Sequence, residues 1–226
     1  MPQPIEGPPP LEELDRDGAI RETADRAGIS RSRLLRTGAL AAGGLAIGAV
    51  PVALSVAQDG GLPKSDVDIL NYALTLEYLE AAFYAEAVSK GALKGDVEQF
   101  ARVVAQHEAA HVQALQKTLG DRATKKPSFD FKDTTSDEAM FIKTAITLED
   151  TGVAAYEGQV TRIKTPAVLM AAGSILPVEA RHAAWIRDIQ GGGKSPTPAP
   201  AAFNPAKSMS EVLDAVKAAG FITSRG

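Results

Sequence analysis

Six side chains of this chain repeat one donor pattern. Leu74-Thr75-Leu76-Glu77 is followed seven residues on by Tyr84, and then by Glu108-Ala109-Ala110-His111. Ile146-Thr147-Leu148-Glu149 is followed seven residues on by Tyr156, and then by Glu179-Ala180-Arg181-His182. From Glu77 to Glu108 is 31 residues, and from Glu149 to Glu179 is 30. Only three histidines occur in the chain, and two of them close the Glu-x-x-His pairs. The i, i+3 spacing places Glu108 with His111, and Glu179 with His182, on single helix faces. Two lone glutamates and two such pairs, one from each of four helices, form the ligand set of a dinuclear metal site inside a helical bundle.

The chemistry follows from charge. A carboxylate on an apolar helix face costs several kcal/mol (about that even after relaxation) or takes up a proton. Two divalent cations neutralise Glu77, Glu108, Glu149 and Glu179, and neutral His111 and His182 complete the shells. Mixed carboxylate and imidazole donors suit iron or manganese. The lone glutamates Glu77 and Glu149 are expected to bridge the two ions. Tyr84 and Tyr156 lie two turns from them on the same faces, where they either donate to ligand carboxylates or simply pack the core. His107-Glu108-Ala109-Ala110-His111 also spells H-E-x-x-H, a zinc-peptidase signature in which His107 and His111 bind zinc and Glu108 is the base. The second copy has Val178 where His107 would be, and no further histidine supplies a third ligand. The repeated unit is therefore Glu-x-x-His, with His107 beside the site.

Four helices must carry these residues. The first is expected from an N-cap at Ser65 to Lys90, stopping at Gly91, with Leu70, Ala73, Leu74, Ala81 and Tyr84 as its apolar stripe. The second is capped by Asp96 and ends at Gly120. The third starts after Ser136 and reaches about Ile163. The fourth is capped by Thr165 with Pro166 at its first position and ends at Gln190. Pro177 lies inside it and is expected to kink it. Residues 120–135, with Phe129 and Phe131, are long enough to cross the whole bundle at about 3.3 Å per residue. Ser208-x-x-Glu211 opens a short helix over 212–219, docked on the bundle.

The segment Ile69-Leu70-Asn71-Tyr72-Ala73-Leu74-Thr75-Leu76-Glu77-Tyr78-Leu79-Glu80-Ala81-Ala82-Phe83-Tyr84 resembles the first helix of the ferritin-like domain of desiccation- and stress-related proteins. Glu179-Ala180-Arg181-His182-Ala183-Ala184 resembles it as well. The resemblance covers residues 65–190 and, more loosely, the tail helix. It implies an all-α, ferritin-like antiparallel four-helix bundle with one long crossover. It implies metal ligands at Glu77, Glu108, His111, Glu149, Glu179 and His182. It supports fold and site more than reaction, and catalytic residues stay unassigned. An oxidoreductase of ferroxidase or catalase type, acting on oxygen or peroxide, and a protective metal binder without turnover both fit.

The remaining sequence bounds the setting. Net charge is −4 across 226 residues, with 45% hydrophobic residues, so there is no basic footprint for nucleic acid. No cysteine is present, which excludes disulfides, thiolate zinc sites and Cys nucleophiles. Residues 1–29 read as a polar, Pro-rich leader. Arg31, Arg33 and Arg36 precede a run from Thr37 to Gln58 without charge, the layout of an export signal. It resembles a twin-arginine signal with Ser32 splitting the pair. Ser55-Val56-Ala57 suits cleavage before Gln58; the alternative is a retained anchor over residues 37–58. The division is thus leader and signal (1–57), bundle (65–190), linker and tail (191–226). The sequence leaves a homo-oligomer open.

Overall fold

The sequence punctuates its helices with glycine and proline, and the chain turns where they stand. The computed structural model describes residues 61–192 and 198–224. The leader, the signal and its cleavage site lie outside these residues. Helix α1 spans Lys64–Lys90, α2 Gly95–Leu119, α3 Glu138–Val160, α4 Pro166–Gln190 and α5 Met209–Ala219. Two short strands, β1 (Ser128–Phe129) and β2 (Ile222–Ser224), pair antiparallel. At Gly91 the backbone turns left-handed at φ 62°, its N–H closing on the Ala87 carbonyl. Glycine makes that turn without steric cost.

The helix starts differ in detail from those expected. α1 begins at Lys64 behind Pro63, and no side chain caps it. The neighbouring carboxylate, Asp66, caps another helix instead. It accepts hydrogen bonds from Lys164 N (3.1 Å) and Thr165 N (2.8 Å) at the start of α4. Thr165 holds the N-cap position with Pro166 behind it, but its side chain makes no cap bond within α4. α2 starts one residue before Asp96, and Asp96 does not cap it. α3 is capped by Asp137, which accepts from Met140 N at 2.8 Å. It ends at Val160, because Arg162 N and Ile163 N both turn back onto the Gln159 carbonyl. α5 opens with the full Ser208–Glu211 capping box.

Direction follows from the contacts at the ends of α1. Asn71, near its start, bonds Thr124 N and Arg122 O just past the end of α2. Lys90, at its other end, bonds Thr135 just before α3. The connection between α2 and α3 therefore runs the length of the bundle, so those two helices point the same way. That is the long crossover of a four-helix bundle with α1/α2 and α3/α4 as antiparallel pairs. Phe131 is buried and pins the crossover, edge-on to Phe83 with ring centroids 5.5 Å apart. Phe129 stacks on Phe131, and Asp130 N bonds the Phe221 carbonyl. A two-strand pairing thus binds the crossover to the C-terminal tail, and no local sequence pattern announces it.

Two apolar clusters fill the interior. One gathers Phe83, Tyr84, Phe100, Phe141 and Ile186, and takes in Val212 and Val216 of α5. The other gathers Leu70, Leu74, Tyr78, Leu115 and Ile175. Glu77 and Glu80 lie on α1 between Leu74 of the second and Phe83 of the first. Among the described residues no helix is long and apolar enough to cross a membrane.

Candidate metal centre

The repeat folds into one place. Glu77, Glu108, Glu149 and Glu179 are fully buried, and His182 is nearly so. His111 Nδ1 lies 3.2 Å from Glu77 Oε2, 3.2 Å from Glu108 Oε2 and 3.1 Å from Glu179 Oε1. His182 Nδ1 lies 3.2 Å from Glu108 Oε1 and 3.3 Å from Glu149 Oε2. The donors form two groups, Glu77-Glu108-His111-Glu179 and Glu108-Glu149-Glu179-His182, with the ligand atoms of each within 4.8 Å of one another. All six residues named from the repeat are brought together.

The sharing differs from expectation. Glu108 and Glu179, from the Glu-x-x-His pairs, belong to both groups, whereas Glu77 and Glu149 belong to one each. Glu108 turns one oxygen to each histidine. Glu77 comes from α1 and Glu149 from α3, and each stands with one histidine, His111 and His182 respectively.

The tyrosines are crossed. Tyr84 OH donates to Glu149, and Tyr156 OH donates to Glu77 at 2.5 Å. α1 and α3 run antiparallel, so each tyrosine, two turns past its own glutamate, arrives level with the other one. Burial raises both phenol pKa values well above normal, and the facing carboxylates, Glu149 for Tyr84 and Glu77 for Tyr156, raise them further. Both remain protonated donors.

Several polar atoms of the cluster lack a hydrogen-bond partner: Glu108 Oε1, Glu149 Oε2, both oxygens of Glu179, and His182 Nδ1. Buried polar groups are ordinarily paired. Unpaired carboxylate and imidazole atoms gathered in one buried place suit cation ligation. The buried Glu/His cluster is compatible with a metal site.

Residues 65–192 match the profile of a family described as Ferritin-like domain. The chain belongs to that family. No curated protein matches it.

Within this ferritin-like bundle the charges are unevenly placed. Burial raises the Glu77 pKa, but the hydrogen bond and charge of His111 outweigh it and hold Glu77 below the ordinary range. Burial lowers the His111 pKa, yet Glu108, Glu179 and Glu77 together raise it above normal. Glu108 and Glu179 are pushed well up, first by burial and then by neighbouring carboxylates. In the absence of cations such groups hold protons.

Two further residues enter the site. His107 belongs to neither donor group, but its Nδ1 lies 2.9 Å from His182 Nε2, with the ring planes 16° apart. Its pKa is lowered by burial and by His182, His111 and Arg181, so it suits the accepting role. In the tautomer in which His182 Nε2 donates to it, His182 Nδ1 has its lone pair toward Glu108 and Glu149. His107 is thus in hydrogen-bond contact with His182 rather than apart from the cluster. Glu80 was not among the expected site residues, yet it is buried at 3% exposure against the cluster. The signal was present: Glu80 stands three residues after Glu77, the spacing that unites each Glu-x-x-His pair. α4 is continuous through Pro177, and Glu179 and His182 beyond it both reach the cluster.

Proposed function

We propose that this chain is an exported ferritin-like protein that holds two iron or manganese ions between its helices and serves in oxidative, metal or desiccation stress. One ion takes Glu77, Glu108, Glu179 and His111; the other takes Glu108, Glu149, Glu179 and His182. The observation that carries this reading is the sharing of Glu108 and Glu179 between two buried donor groups. Two adjacent first-row ions with carboxylate bridges supply redox chemistry toward oxygen or peroxide when bound. The chain's own residues hold the ions in register, Tyr84 and Tyr156 orient the terminal carboxylates, and His107 orients His182. The stress role rests on the resemblance of residues 69–84 to stress-related ferritin-like domains.

Export rests on the sequence: arginines at 31, 33 and 36 before an uncharged run of 22 residues. Cleavage near Gln58 releases the bundle with a short linker; a retained run anchors it to the membrane. A protective metal binder without turnover is the second reading, favoured by the depth at which every carboxylate is buried. The zinc-peptidase reading loses support from His107, whose Nδ1 is engaged by His182.

The test is metal analysis of protein recovered from its own extracytoplasmic fraction, with N-terminal sequencing, followed by Fe(II)-oxidation and peroxide-consumption assays. Two iron or manganese ions per chain and a start near Gln58 are expected. Protein without bound metal after anaerobic loading, or an intact leader found only in the cytoplasm, overturns the corresponding half of the proposal.

A further inference from the structure

The interior is not filled evenly. Between the first half of α1, the end of α3 and the first half of α4 lies a cleft whose wall includes Ile69, Leu76, Ala155, Val168 and Ile175. It takes in about 450 Å³ of atom-free space, mouth included, of which about 20 Å³ admits the centre of a water molecule. Ile163 and Ala172 stand in its wall and are partly exposed, so the space reaches the surface. The cleft contains none of the six donors of the metal centre. Tyr156 stands between the two: it lines the cleft, and its hydroxyl bonds Glu77.

Two further polar side chains interrupt this apolar wall. Gln159, one turn past Tyr156 on α3, is 2% exposed, and neither its Nε2 nor its Oε1 has a hydrogen-bond partner among the described residues. Tyr72 of α1 is buried as well, and its hydroxyl is likewise unpaired. A buried amide without partners is costly, and folded proteins leave few such groups. A leucine at position 159 would fill nearly the same volume without that cost. Among the described residues that line the cleft there is no Asp, Glu, Lys, Arg or His. Burial alone pushes the Tyr72 phenol up, so its hydroxyl stays a donor.

A concave, mostly apolar space with a few polar groups to fix orientation is the form of a small-molecule site. The Gln159 amide offers a donor and an acceptor side by side, and Tyr72 adds a hydroxyl. A charged ligand would find no counter-charge in this wall. The narrow bore suits an unbranched chain. One ordered water fits the space and would pair with the polar atoms, but it leaves the apolar wall facing solvent, which an aliphatic body would cover. We propose that this cleft binds a small neutral amphipathic molecule, its short aliphatic chain lying along α4 and its terminal carboxamide or hydroxyl paired with Gln159 and Tyr72.

The test titrates hexanamide into the full chain by calorimetry, with hexanoate and hexylamine as charged counterparts of the same length. Saturable one-to-one binding of hexanamide is expected, with either ion about ten-fold weaker or more. Gln159→Leu removes both polar atoms at nearly constant volume. It should weaken hexanamide about ten-fold and raise the melting temperature of the unliganded chain, because an unpaired buried amide is gone. Tyr72→Phe should weaken hexanamide several-fold, and Ala172→Leu, which narrows the mouth, should block it. A crystal structure of the unsubstituted chain with hexanamide near its dissociation constant should seat the carboxamide against Gln159. Absence of saturable binding, equal binding of hexanoate or hexylamine, or unchanged affinity in Gln159→Leu overturns the proposal. So does a soaked structure with one water on Gln159 and no hexanamide.

Discussion

Tyr84 donates its hydroxyl to Glu149, a residue of the opposite half of the repeat, and Tyr156 returns the same bond to Glu77. Each hydroxyl neutralises part of a buried charge and would orient a carboxylate that holds an ion. Tyr84→Phe should therefore weaken the ion near His182, and Tyr156→Phe the ion near His111, each by about ten- to a hundred-fold. Isothermal titration with Mn(II) would read this. Equal weakening of both ions by either variant would contradict the crossed arrangement.

The shared ligands make a second distinction. Glu108→Gln or Glu179→Gln removes an oxygen donor from both groups and should empty both ions. Glu77→Gln or Glu149→Gln should leave one ion per chain. Metal counts by mass spectrometry after gel filtration decide the matter, and a count near one in the Glu108 variant would argue against bridging.

His182→Ala removes a ligand and should leave about one ion, with a lower melting temperature in the presence of metal, since an ion bound only by the folded state stabilises it. His107→Ala leaves every ligand in place but frees the ring of His182. Its expected cost is about ten-fold in affinity at that one ion. If His107→Ala empties the centre while His182→Ala keeps both ions, the H-E-x-x-H reading takes precedence.

Gly158 bears on the tail rather than the centre. A Cβ there would stand 1.8 Å from the Lys207 carbonyl oxygen, next to the bond from Lys207 N to Ala154 O. Gly158→Ala must displace that segment, and with it α5, from α3. A loss of about 1–3 kcal/mol, typical of overpacking, is expected. Faster hydrogen exchange at Lys207 and along α5 would mark the detachment; unchanged exchange would mean the segment does not pack there.

Asp66 links α1 to the start of α4. Burial raises its pKa, but the bonds from Thr165 and Lys164 outweigh this and the net shift is downward. A depressed carboxylate stabilises the fold above its unfolded pKa of about 3.9 and loses that contribution as pH falls through the lower folded value. Asp66→Ala should cost about 0.5–2 kcal/mol at neutral pH, as for a lost helix cap. The gap between the two melting curves should narrow as the pH falls below the unfolded value of about 3.9. A gap independent of pH would mean that the charge plays no part.

The sequence alone determined the four helices, their apolar stripes and the six donors, because helical periodicity and i, i+3 spacing are local properties of the chain. α4 runs from Pro166 to Gln190 as its Thr-Pro start and glycine stop dictate. Partnership across helices is not local, and only the tertiary structure decided it. Which glutamates are shared depends on where antiparallel helices bring them level, so Glu108 and Glu179 rather than Glu77 and Glu149 lie between the two groups. The crossing of Tyr84 and Tyr156 has the same origin. Asp66 was free to cap its own helix or another, and the approach of residues 164 and 165 settled the choice. The pairing of β1 with β2 needed the crossover and the tail on one face. Glu80 was one acidic residue among 28 Asp and Glu in the sequence; its burial beside Gly152 came from two helices meeting where one of them has no side chain.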